Sequence, residues 1–90
     1  MTYTIRFSRP ARRVLANELP ESVATACIEF IYGALAENPH RVGKQLNPPS
    51  APHYSARRGQ FRVIYDIYDD LVVVEIVTVQ HRRDVYRTLS

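Results

Sequence analysis

The chain has 90 residues, a hydrophobic fraction of 46% and a charged fraction of 23%, values that fit one globular domain spanning residues 1–90 and leave no room for a second core. Cys27 is the one cysteine, which excludes an intramolecular disulfide framework, and the apolar runs fall far short of the ~18 residues needed to cross a membrane, so a cytoplasmic chain without membrane contact is expected. The net charge of +3 is modest, but eleven of the twelve basic residues are arginine, with Lys44 the single lysine, and a guanidinium pairs with phosphate oxygens two at a time and stacks on bases. A GC-rich genome would raise the arginine count; it would not cluster the arginines.

Residues Tyr3 to Phe7 alternate apolar and polar side chains with the period of a half-buried strand. Ser8 and Pro10 then carry the signature of a helix start. Ala11, Val14, Leu15 and Leu19 follow helical spacing until Pro20 stops it. A second helix is expected from Glu21 or Ser22 to about Asn38, with Val23, Cys27, Phe30, Ile31 and Ala34 on one apolar stripe. Cys27 fits that stripe as a small core residue.

His40 to Pro52, with Gly43, Pro48, Pro49 and Pro52, reads as a surface loop. Three short strands are expected next, roughly His53 to Arg58, Gln60 to Tyr68 and Leu71 to Gln80, joined by two-residue turns at Gly59-Gln60 and Asp69-Asp70. The fold class is therefore α+β: an N-terminal strand, a helical hairpin, then a three-strand antiparallel meander, forming a curved four-stranded sheet with the helices on one face.

With two-residue turns, Arg57 faces Arg62 and Arg62 faces Val77. Tyr54, Ala56, Phe61, Val63, Tyr65, Ile67, Val72, Val74 and Ile76 then form the face under the helices. The other face collects His53, Ser55, Arg57, Arg62, Ile64, Asp66, Tyr68, Glu75, Val77 and, by continued alternation, His81. The chain ends in QHRRDVYRTLS, which brings Arg82, Arg83, Tyr86 and Arg87 to the same end of the sheet as Arg57 and Arg62. Arginines, a histidine and a tyrosine on a sheet surface suit a phosphate and a base.

The blocks SARRGQFRVIY and HRRDVYR, set after a first strand and a helical hairpin, resemble the RelE branch of the RelE/ParE superfamily of bacterial toxins over nearly the whole chain. The resemblance implies a RelE-like fold and a ribosome-dependent endoribonuclease that cuts mRNA in the A site, without a metal or other cofactor. It also implies a cognate RelB-like antitoxin with an acidic C-terminal segment, in a toxin–antitoxin complex such as a heterotetramer. Carried over by position, Arg62 holds the scissile phosphate, Arg82 is a second arginine of the site, and Tyr86 stacks on or orients a nucleotide. Where the family has lysines on the strand before the turn, this chain has His53 and Ser55, with Arg57 and Arg58 further along as substrate-binding candidates.

Cleavage of this kind requires a base for the ribose 2′-OH and positive charge for the phosphorane. Arg62 and Arg82 supply the charge. His81 is the first candidate for the base and His53 the second, since a neutral imidazole is the side chain suited to that proton at pH 7. Two other functions stay open: a ParE-like toxin that inhibits DNA gyrase by protein contact, and an RNA-binding module without catalysis.

Overall fold

The computed structural model describes residues 2–46 and 53–81. Strand β1 (Thr4–Phe7) leads into helix α1 (Arg9–Arg13) through Ser8, whose side-chain oxygen accepts the Ala11 N–H at 3.1 Å. The same hydroxyl donates to the Val77 carbonyl at 2.5 Å, tying the start of the helix to the sheet. Helix α1 runs on as a π-helical turn, Val14–Glu18, closed by a 3.2 Å bond from the Leu19 N–H to the Val14 carbonyl. Pro20 then separates it from α2 (Glu21–Phe30), which also continues as a π-helical turn, Ile31–Leu35. Val23, Cys27, Ile31 and Leu35, spaced four apart, are all buried and form the core face of this helix; of the stripe expected here, Phe30 and Ala34 are half-buried, and Leu35 joins it.

The stretch expected to be loop contains a short helix α3 (Pro39–Val42) and a two-residue strand β2 (Lys44–Gln45). Gly43 between them has no room for a side chain: a Cβ there would meet the Tyr65 hydroxyl and come within 2.8 Å of the Ser55 carbonyl oxygen. Glycine thus lets the chain turn out of α3 and lie against the sheet.

Strands β3 (Tyr54–Arg58), β4 (Phe61–Tyr68) and β5 (Val73–His81) form the meander. The sheet order is β1-β5-β4-β3-β2, with β1 parallel to β5 and the other pairs antiparallel. It therefore has five strands and is mixed, where four were expected, because β2 adds an edge. The helices cover one face: Ala11, Val23, Cys27, Ile31 and Leu35 share a core with Ala56, Phe61, Val63, Tyr65, Val74, Ile76 and Val79.

The first hairpin has the expected register, with Arg57 opposite Arg62 and Gly59 in the left-handed region at φ 52°. The second does not. Tyr68 pairs with Val73, so the turn holds four residues, and Val72, expected in the strand, lies in that turn at φ 54°. A bulge then interrupts the ladder between Ile64 and Tyr65, where Tyr65 faces Ile76 but Ile64 faces Thr78. The extra residue, Val77, reverses the alternation in the second half of β5. Arg62 consequently faces Gln80, not Val77, and His81 pairs with Phe61.

Candidate functional site

The sheet face away from the helices is assembled in rows across the strands. Arg57, Arg62 and Gln80 make one row. Lys44, Ser55, Ile64 and Thr78 make the next. His53, one position before the Tyr54–Tyr65 pair, extends the register to Asp66, which faces Glu75, which in turn faces Arg6 on β1. One end of this face is basic and the other carries carboxylates. Tyr68 registers the acidic end: its hydroxyl is pushed above its ordinary value of 10.0, first by the charge of Asp66, then by burial and by Glu75.

Arg57 is exposed and Arg62 half-buried, and among the described residues neither forms an ion pair with a carboxylate. Asp66, the acidic residue nearest Arg62 on that face of β4, is engaged elsewhere: its Oδ1 lies 2.5 Å from His53 Nδ1. Like charges directly opposite on two strands destabilise a hairpin, by up to ~1 kcal/mol. The Arg57–Arg62 pair is thus a cost to the free fold that an anion would offset.

Not every expected residue joins this face. His81 was placed beside the arginines; the bulge turns it to the helix side, where it is 7% exposed and its Nε2 finds no hydrogen-bond partner among the described residues. Arg58 also takes the helix side, its guanidinium 4.9 Å from the centre of the Phe30 ring. There it borders a groove of about 730 Å³ between α2 and the β3–β4 turn, lined by Val23, Ala26, Phe30 and Phe61 among others. Arg82 and Tyr86 lie outside the described residues. His53, Ser55, Arg57 and Arg62 are the expected residues that share one surface.

Lys44 was missed, because the prolines and glycine around it read as loop, and only pairing with β3 reveals that it sits opposite Ser55. A second polar cluster lies at the far end of the sheet. The Tyr3 hydroxyl donates to Asp69 Oδ1 at 2.6 Å, and His40 Nε2 lies 2.9 and 3.0 Å from the two oxygens of the same carboxylate. These bonds, Tyr3 first and then His40, hold the Asp69 carboxyl below its ordinary value of 3.8. They join the approach to β1, helix α3 and the β4–β5 turn, a structural tie. Among the described residues, no group of three or more His, Cys, Asp or Glu side chains is placed to hold a metal ion.

Residues 5–86 match the family model described as the ParE toxin of the type II toxin–antitoxin system parDE. Toxin RelG of Mycobacterium tuberculosis is 46% identical over 87 residues, covering 97% of this chain and 99% of that protein. Toxin RelE of the same organism is 44% identical over 85 residues, covering 94% and 87%. The toxin–antitoxin complex RelBE2 from M. tuberculosis contains a chain of the same fold, with a TM-score of 0.88, 44% identity and coverage of 91% and 100%. The isolated Escherichia coli RelE toxin superposes with a TM-score of 0.71 at 22% identity, over 97% of this chain and 94% of that one, a likeness of fold. The chain belongs to this family of type II toxins, on its RelE branch.

Proposed function

We propose that the toxin acts as an mRNA endoribonuclease on the ribosome, cutting in the A site and arresting translation. The observation that carries this reading is the Arg57–Arg62 pair, set directly across two strands on the face away from the helices, without a carboxylate partner among the described residues. Attack of a ribose 2′-oxygen on the neighbouring phosphorus builds a phosphorane with more negative charge than the starting phosphodiester. Fixed guanidinium groups stabilise that extra charge without having to reorganise.

Arg62 is assigned to the scissile phosphate, with Arg82 as the second arginine and Tyr86 stacking on a nucleotide. Ser55, Arg57 and Lys44 flank the RNA backbone, and Arg58, on the helix side, serves contacts outside the cleavage centre. So small a domain orients the 2′-oxygen in line only with help, and the ribosome supplies that by holding the message. The partner in the cell is a RelB-like antitoxin whose acidic C-terminal segment covers the arginine face, in a complex such as a heterotetramer. The solved complex of the M. tuberculosis relative, which pairs a toxin with an antitoxin, supports that expectation.

A competing reading follows from the description of the matching family model, which names ParE: a toxin that inhibits DNA gyrase through protein contact. Mapping mRNA 5′ ends after brief induction separates the two. The nuclease produces new ends inside codons of translated messages, and Arg62→Ala abolishes them. Growth arrest without new ends, accompanied by loss of DNA supercoiling, would overturn the nuclease reading.

A further inference from the structure

We infer that His53 is the general base of the cleavage reaction and that Asp66 is the positioning residue that holds its imidazole for that task. The inference rests on the nuclease reading above and names the group that takes the 2′-OH proton.

The two residues face one another across β3 and β4, with His53 Nδ1 2.5 Å from Asp66 Oδ1. An ionised carboxylate only accepts hydrogen bonds, so Nδ1 carries the hydrogen and the lone pair of the neutral ring is left on Nε2. Among the described residues Nε2 has no hydrogen-bond partner. The His53 side chain is 38% exposed and that of Asp66 16%. The ring is thus open to a substrate while its carboxylate is largely shielded from water, where it stabilises the imidazolium more than a fully solvated one could.

The chain has three histidines, and His53 is the one on the arginine face. His81 is buried on the helix side, and His40 is committed to Asp69 through its Nε2. Arginine does not serve as a base in proteins, and Lys44, on the edge strand β2, lies in the row of Ser55, not in that of His53 and Asp66. His53, one residue before β3, and Arg57 are four residues apart in the chain, about 13 Å at ~3.3 Å per residue. An arginine side chain and a phosphodiester together bridge that gap. The charged groups sharing the face with the ring are Asp66 and Arg62 on β4, Glu75 on β5, Lys44 on β2, Arg57 on β3 and Arg6 on β1.

In the reaction, Nε2 takes the 2′-OH proton as the 2′-oxygen bonds to phosphorus. The bond from phosphorus to the 5′-oxygen breaks, and that oxygen takes a proton from water. The imidazolium passes its proton to the hydroxide so formed, leaving a 2′,3′-cyclic phosphate and a 5′-hydroxyl.

The test is single-turnover cleavage by the full chain on ribosomes carrying a defined mRNA, followed across neutral pH, with thermal melting of each variant as the control for folding. The parent rate climbs with pH and then levels, the profile of a reaction that needs one deprotonated base. His53→Gln lowers the plateau by ~10²–10⁴-fold and removes the climb. Asp66→Asn lowers the plateau and alters the profile, because Nδ1 has lost the carboxylate that holds its hydrogen. This second variant decides the matter if His53→Gln does not fold. A parent that cuts while folded His53→Gln matches its rate and profile overturns the inference and leaves the nuclease reading standing. An unmoved profile in folded Asp66→Asn removes Asp66 from its role. A parent that does not cut overturns both.

Discussion

Tyr65 is the hinge between the fold and the edge of the site, and removing its hydroxyl tests that link. The side chain is 0% exposed, its ring is stacked on Tyr54 with centroids 5.7 Å apart, and its hydroxyl donates to the Pro39 carbonyl at 2.6 Å. Burial pushes the phenol up to about 12, so it remains a donor at any pH the protein meets. Tyr65→Phe keeps the packing and strands the Pro39 carbonyl, a loss of ~1–3 kcal/mol. In a domain of this size each kcal/mol moves the midpoint by ~4–8 °C, so melting should fall by on the order of 10 °C. Gly43→Ala attacks the same junction from the other side, since its Cβ would meet the Tyr65 hydroxyl. In the Tyr65→Phe background part of that clash is gone, so the double variant should lose less than the sum of the singles. Calorimetry of the four proteins measures the cycle. A Tyr65→Phe midpoint equal to the parent's, or strict additivity, would refute the view that this contact seats α3 and β2.

Ile31→Ala removes a fully buried side chain from the helix stripe and should cost ~2–5 kcal/mol in denaturant unfolding; a loss under ~1 kcal/mol would mean the helix does not pack as described. Asp69 titrates at a lower pH in the fold than its ordinary 3.8. Its contribution to stability is therefore present above the unfolded value and lost as pH falls through the folded one. Asp69→Asn should flatten the stability curve below about pH 4, with little change near neutrality in that slope. Cys27 is buried and its thiol is pushed up to about 12, so alkylation should proceed only as fast as the protein opens. Labelling faster than unfolding would contradict that placement.

Most of the fold was legible because periodicity and punctuation agree in this chain. Ser8 and Pro10 mark one helix start, Pro20 separates the helices, and the stripe from Val23 to Ile31 fixes the buried side. The first hairpin was readable down to the Arg57–Arg62 pair because Gly59 supplies the left-handed residue its tight turn needs. The second hairpin was not, for two reasons. Nothing in DDLV announces that a valine takes a positive φ, and a bulge leaves no trace in an alternation of valines and isoleucines that is apolar on both parities. That single extra residue carried His81 from the expected polar face into the core. Lys44 was hidden differently: a two-residue strand is too short to show a period, and its place depends on β3. The His53–Asp66 pair was within reach, since both residues had been sorted to one face, but their contact follows only from the register.

Single-turnover cleavage on ribosomes programmed with a defined message, comparing the parent with Arg62→Ala, tests the nuclease proposal most directly. Arg62 lies off the core face, so the variant should fold and melt like the parent and should still bind its antitoxin. The parent should cut the A-site codon, and Arg62→Ala should cut ~10²–10³-fold more slowly, the loss expected for one preorganised donor to a developing charge. Equal rates for the two proteins, or a parent that leaves the message intact, would contradict it.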